Sequence, residues 1–294
     1  MAAPLVAGPL LGFWALAHQA VQRDHFAWDE LILGWVARRE NDAFEAVMVT
    51  FSFLGAGTGL LLLLSPLLFV LLRRRRVADT LFVTASLLLA QVVGRLVKSA
   101  IDRPRPPLAD HEELQALVDV RTVVLILIGA AVAIALATRW RRPALSLTAV
   151  LGLSALVYEI IAPSVYAADG SSFPSGHATS SMAVTAAAVV LAWPTRWRWP
   201  ALWLGAIFVA MVGLSRIALG VHYPSDVLGG WCLALTVVGV MRGVIRAATP
   251  RERARRPSDD SADRRVRHDM DRPIPRAKAA SAVARPQPPD RVGR

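Results

Sequence analysis

Three short stretches place cations and histidines where apolar segments end. Lys98 to Pro106 reads KSAIDRPRP, Pro174 to His177 reads PSGH, and Ser215 to Asp226 reads SRIALGVHYPSD. They supply Lys98, Arg105 and Arg216 as fixed positive charge and His177 and His222 as proton carriers, with a turn at Ser175-Gly176 and a carboxylate at Asp226. Such a set meets the needs of a metal-free phosphate site with a histidine nucleophile.

Each stretch has its own physical logic. Pro174 stops any preceding helix and Gly176 permits a close backbone approach. The apolar run after PSGH makes His177 an early helical residue, where free N–H groups bind anions. Arg216 can grip phosphate oxygens bidentately. Asp226 stands four residues beyond His222, close enough to bond the far ring nitrogen and fix its tautomer. It also suits the first turn of the last helix, with Ser225 as cap, and the two roles are compatible. In Arg103-Pro104-Arg105-Pro106 the prolines hold two guanidiniums in a rigid loop. No Asp/Glu/His grouping has convincing metal spacing, so no metal and no cofactor are expected.

The elements that must position these residues are membrane helices. The 294-residue chain is 54% hydrophobic, with a formal net charge of +11. Apolar runs near bilayer-spanning length recur at 3–21, 51–72, 78–100, 122–138, 144–163, 177–193, 201–219 and 227–246. The expected fold is all-α, a polytopic transmembrane helical bundle. Residues 24–48 carry too many charges to cross lipid and read as an interfacial amphipathic helix. The first apolar run lacks a basic leader, so a retained first helix is expected rather than a cleaved signal. Arg95 shares a helix face with Lys98 and is a candidate partner for Glu159.

Basic residues cluster at Arg73 to Arg76, at Arg139, Arg141 and Arg142, at Arg196 and Arg198, and at Arg242 and Arg246. With alternating spans all four clusters fall on the cytoplasmic side, and tryptophans gather at that boundary. Asp29, Glu30, Asp110, Glu112 and Glu113 fall in the opposite loops. The same alternation puts all three chemical stretches on the outer face. Clustered in this way, the basic residues read as topology and argue against a nucleic-acid partner. The tail from about Thr249 is rich in Arg, Pro and Asp and is expected to be disordered, basic and cytoplasmic.

Taken together, the three stretches resemble the type 2 phosphatidic acid phosphatase family, in the wider group that includes vanadium haloperoxidases. The family pattern K-x6-R-P, P-S-G-H, S-R-x5-H-x3-D is met by Lys98…Arg105-Pro106, by Pro174-Ser175-Gly176-His177, and by Ser215-Arg216…His222…Asp226. The resemblance covers roughly residues 50–246 and implies an integral membrane lipid phosphatase of the plasma membrane. Carried over by position, Lys98, Arg105, Arg216, Ser175 and Gly176 bind the phosphoryl group. His222 is then the nucleophile, Asp226 its orienting partner and His177 the general acid, through a phosphohistidine. Arg105, not Arg103, has the motif's spacing. The family usually has six spans, whereas residues 122–163 imply an inserted hairpin and about eight spans in all. The implied partners are the bilayer and a lipid phosphate: a polyprenyl diphosphate such as undecaprenyl diphosphate, phosphatidic acid or a related lipid. Two other functions share these features, a phosphotransferase using a lipid phosphate donor and a lipid transporter or binding protein with a vestigial site. The lipid, the acceptor and the oligomeric state are not legible in the sequence.

Overall fold

A computed structural model describes residues 3–22, 26–39, 41–107, 128, 142–149, 151–152 and 170–248. Among these residues the chain is helical, without strands. The long helices are α1 (Ala3–Val21), α2 (Ala27–Ala37), α3 (Asp42–Gly55), α4 (Gly57–Arg73), α5 (Val77–Ile101), α6 (Gly176–Ala192), α7 (Arg198–Ala218) and α8 (Pro224–Ala248). One unit comprises Met1–Thr249, and a second, Pro250–Arg294, lies outside the described residues with the expected tail.

Among the described residues α5, α7 and α8 are each long and apolar enough to cross a bilayer, and α3 with α4 form a fourth candidate bent by 50°. The apolar stretches of α1 and α6 are shorter, Val6–Val21 and Gly176–Ala192. This is a polytopic helical bundle. Most of the expected hairpin lies outside the described residues, as does Glu159. Its described part, 128, 142–149 and 151–152, is helical and brings Leu147 and Leu151 into the core, with Ile128 packed against it.

Two expected elements differ in outline. The stretch 24–48 is not one helix. Asn41 caps α3, its Oδ1 accepting the Phe44 N–H at 3.0 Å, so α3 starts at Asp42 and runs on to Gly55. The expected span 51–72 therefore breaks at Ala56, whose extended backbone (φ −67°, ψ 161°) ends α3 and starts α4.

Helix α6 packs against α5, α7 and α8, while α8 also holds α1 and α3 packs on α7. The core joins Leu64 and Leu68 of α4, Phe82 and Val83 of α5, and Leu233 and Val237 of α8. Ala183 and Ala187 of α6 face them, and small residues let membrane helices approach closely.

The two ends of the bundle differ in chemistry. At one, Arg76 pairs with Asp79 at 2.6 Å, and Arg242 of α8 stands 5.7 Å from the Phe82 ring. The α4–α5 corner and the end of α8 thus share the basic end. At the opposite end lie the last turns of α5 and α7 and the first turns of α6 and α8, which carry the three chemical stretches.

Candidate active site

Helix α5 delivers Lys98 in its last turn and then stops. Asp102 adopts a left-handed conformation (φ 48°, ψ 47°) and donates its N–H to the Lys98 carbonyl at 3.0 Å. Pro104 and Pro106 lack the N–H needed to resume a helix. The loop that follows is fastened to the approach to PSGH. Lys98 Nζ donates to the Ser171 carbonyl at 3.0 Å, Ser172 N–H to the Arg103 carbonyl at 2.7 Å, and Ser172 Oγ to the Pro104 carbonyl at 3.1 Å.

Ser175 is the N-cap residue of α6, so Gly176 and His177 open that helix. Its N–H donates to the Asp226 carbonyl at 3.0 Å, while its buried Oγ has no hydrogen-bond partner among the described residues. The Phe173–Pro174 peptide is cis. Behind this turn, Gly229 and Gly230 of α8 leave the space it occupies. A Cβ on Gly230 would lie 2.8 Å from the Ser175 carbonyl oxygen, and one on Gly229 would lie 2.5 Å from the Phe173 ring.

Helix α7 carries Arg216 and ends in a Schellman turn. Gly220, at φ 65°, donates to the Ile217 carbonyl at 3.0 Å, and Val221 donates to the Arg216 carbonyl at 3.3 Å. The reversal returns His222 to Arg216, its N–H donating to the same carbonyl at 3.2 Å. The Arg216 side chain is buried and Nη1 donates to Ser52 Oγ of α3.

At the start of α8, Tyr223 is the N-cap residue, its carbonyl accepting from Asp226 N–H at 3.0 Å. Asp226 reaches back, its Oδ2 accepting the Tyr223 N–H at 2.9 Å, one half of a capping box. The same Oδ2 stands 3.5 Å from His222 Nδ1. That separation is long for a hydrogen bond, and His222 Nδ1 makes none by geometry. Such contacts commonly tighten only when substrate binds.

Charge completes the arrangement. Lys98, Arg105 and Arg216 all act electrostatically on both His177 and His222. Burial, followed by the charges of Lys98, Arg216 and Arg105, holds the His222 imidazole well below its usual pKa, against a smaller opposing effect of the Ser172 backbone. Its ring is therefore neutral at pH 7. Lys98, Arg105, His177, Arg216, His222 and Asp226 thus converge with the Ser175-Gly176 turn. No three His, Cys, Asp or Glu side chains group as a metal-ligand set among the described residues.

Sequence reasoning missed two residues in this region. Arg103, passed over for Arg105, is 1% exposed and bonds Asp226 Oδ1 at 2.5 Å, Ser225 Oγ at 2.8 Å and Asp29 Oδ2 at 3.1 Å. Asp29, read as one charge of an outer loop, is fully buried in α2. It accepts the Ser225 N–H at 2.9 Å and the Ser225 hydroxyl at 2.6 Å. The expected Ser225 cap is thus corrected: Asp29, from another helix, satisfies the first turn of α8. The repeated Arg-Pro was the available signal for Arg103. For Asp29, an acidic residue inside an apolar stretch was the only hint.

A helical membrane protein with a cluster of cations and histidines at one end is the class this arrangement defines. The sequence profile of the PAP2 superfamily matches residues 79–250, and the chain belongs to that family. It is 45% identical over 85 residues to the decaprenylphosphoryl-5-phosphoribose phosphatase of Mycobacterium tuberculosis, 29% of this chain and 42% of that protein. It is 42% identical over 62 residues to an undecaprenyl-diphosphatase of Sulfolobus acidocaldarius, 21% of this chain and 28% of that one. The chain thus spans less than half the length of these curated relatives. A crystal structure of a transmembrane PAP2-type phosphatidylglycerolphosphate phosphatase from Bacillus subtilis superposes with a TM-score of 0.54 at 21% identity, covering 83% of this chain and 97% of that one. The bundle is therefore a known membrane fold.

Proposed function

We propose that this chain is a membrane lipid phosphatase that hydrolyses a polyprenyl phosphate or diphosphate, without metal, through a phosphohistidine formed on His222. The observation that carries this is a neutral His222, beside Asp226, within the field of Lys98, Arg105 and Arg216. Mere binding of a headgroup does not require a second histidine at the same place. The substrate class is supported by the polyprenyl names of the curated relatives.

The phosphoryl oxygens are met by Lys98, Arg105 and Arg216 and by the Ser175-Gly176 turn at the start of α6. Oriented charge of this kind usually supplies most of the catalysis in phosphoryl transfer. Asp226 faces Nδ1 of His222, which leaves Nε2 to attack phosphorus. The bond from phosphorus to the leaving oxygen breaks as the N–P bond forms, and His177, whose proton is retained once the anionic phosphate offsets the burial and cations that otherwise disfavour it, gives that oxygen its proton. Water then attacks the phosphohistidine, returning a proton to His177 and releasing inorganic phosphate. The basic clusters support an extracytoplasmic site.

The test is phosphate release by the purified full chain from a panel of lipid phosphates and diphosphates. Turnover should survive EDTA, fall with vanadate and vanish in His222→Ala along with an acid-labile phosphoenzyme. Loss of turnover with EDTA and its return with magnesium would overturn the metal-free mechanism. Labelling that persisted in His222→Ala would assign the nucleophile elsewhere. Hydrolysis of a short-chain, membrane-impermeant substrate by intact cells tests the outer placement.

A further inference from the structure

The two residues least legible in the sequence bond each other behind the site. Arg103 and Asp29 are both buried, 1% and 0% exposed. Arg103 Nη1 bridges Ser225 Oγ and Asp226 Oδ1, at 2.8 and 2.5 Å, while Nη2 bonds Asp29 Oδ2 at 3.1 Å. Its guanidinium also lies 4.5 Å from the Tyr223 ring. Asp29 closes the circuit through the Ser225 N–H and hydroxyl. The circuit thus touches Tyr223, Ser225 and Asp226, three of the four residues that follow His222.

A carboxylate facing a catalytic histidine works only if its own orientation is fixed. Asp226 Oδ1 is held by Arg103 and Oδ2 by the Tyr223 N–H, which leaves Oδ2 turned to His222 Nδ1. Without Arg103, the Oδ1 anchor is gone and the carboxylate can turn. Without Asp29, the guanidinium loses one partner and the α8 N-terminus loses its acceptor. The circuit is also asymmetric in charge, since one guanidinium serves two carboxylates.

We infer that Asp29 and Arg103 are a positioning pair that holds Asp226, and through it His222, in line for attack on phosphorus. This goes deeper into the proposed reaction and rests on His222 being its nucleophile. Arg103 stands at an unspecified position inside the first motif, and Asp29 lies outside the segment that matches the superfamily.

The experiment is a double-mutant cycle on the purified full chain, with kcat, KM and the rate of phosphoenzyme formation as readouts. Asp29→Asn and Arg103→Gln are each made alone and in an Asp226→Asn background, with Arg103→Lys as the conservative variant and His222→Ala as control. Misplacing a reacting group by about 1 Å can cost roughly 100-fold, so Arg103→Gln should lower kcat by that order with KM within about threefold. Arg103→Lys, which keeps the charge, should recover part of the loss. In the Asp226→Asn background Arg103→Gln should add little, because groups acting as one unit are not additive.

A raised KM at constant kcat would make Arg103 a direct substrate ligand and overturn the inference. Equal fractional losses with and without Asp226 would also overturn it, as would a lowered Tm with kcat unchanged. If Arg103→Gln does not fold, the near-isosteric Asp29→Asn carries the same cycle. Turnover retained in His222→Ala would sink the phosphohistidine reading itself. Turnover lost there but intact in Asp29→Asn and Arg103→Gln would sink the positioning pair alone.

Discussion

The backbone N–H of Ser175 donates to the carbonyl oxygen of Asp226 at 3.0 Å, joining the turn that opens α6 to the helix that carries the carboxylate. One turn further along α8, Gly230 leaves room for that junction. A methyl group there meets backbone and the Thr179 hydroxyl, which cannot retreat as a flexible side chain could. Gly230→Ala is therefore expected to destabilise the fold by about 1–3 kcal/mol through overpacking. A thermal melt in detergent measures that loss. Because the displaced atoms belong to Ser175, kcat/KM should fall at temperatures where the variant remains folded.

The turn between α7 and α8 gives a second, conformational test. Gly220 sits at φ 65°, where a Cβ is strained. Gly220→Ala should cost about 1 kcal/mol or more, and Gly220→Asn less, because Asn tolerates the left-handed region. The order of melting temperatures, wild type above Asn above Ala, checks this. The reverse order would mean that the turn relaxes without loss.

Arg216 should resist conservative replacement. Lys offers one compact charge where the planar guanidinium offers a fork, so Arg216→Lys is expected to lose bidentate contact with phosphate. One charged hydrogen bond contributes about 1.5–3 kcal/mol, so kcat/KM should fall roughly 10- to 100-fold. Ser52→Ala removes only the Nη1 partner from α3 and should give a smaller loss. Steady-state kinetics on both variants would show this ranking, and a larger loss for Ser52→Ala would contradict it.

The state of His222 fixes the sign of a pH effect. Its folded pKa lies well below 6.5, by burial first and then by Lys98, Arg216 and Arg105. The ring is then neutral at pH 6.5 and stays so until the pH nears that lower pKa, so the acid limb of kcat/KM expected of His222 as the proposed nucleophile lies below 6.5. The unfolded chain takes up this proton near pH 6.5, before the folded one does. The contribution of His222 to stability is therefore complete above that pH and is lost as pH falls toward the folded pKa. Lys98→Met removes the largest of the opposing charges and should move the acid limb of the residual activity upward. An unmoved limb would place its origin in another group.

The parts legible in the sequence were those with a local cause. Apolar length marks a span wherever it occurs, so α5, α7 and α8 stand close to their expected bounds. Pro174, Gly176 and Pro224 punctuate the chain by their own backbone chemistry, so the turns around His177 and His222 were readable. The break at Ala56 falls in Gly55-Ala56-Gly57-Thr58-Gly59, a glycine-rich signal that the apolar length of 51–72 outweighed. Ser52 shows the same limit, since a serine inside an apolar helix gives no sign that Arg216 lies beside it. Gly229 and Gly230 matter only because Phe173 and Ser175 press on them from another element. Asp29 and Arg103 were hidden most deeply. Asp29 read as an ordinary loop charge and Arg103 as the spare guanidinium of a rigid loop, because their contact depends on residues far apart in the chain.

The Asp29–Ser225 bond joins residues 196 positions apart. A ribosome releases Asp29 early and reaches Ser225 only when most of the chain has been made. Arg103 is made well before that point, but the Ser225 hydroxyl and the first turn of α8 are not yet there for the carboxylate to serve. Closing this contact therefore waits for the start of α8, the last of the described helices. Grafting the family segment alone onto another leader would leave that final step without its first-made partner.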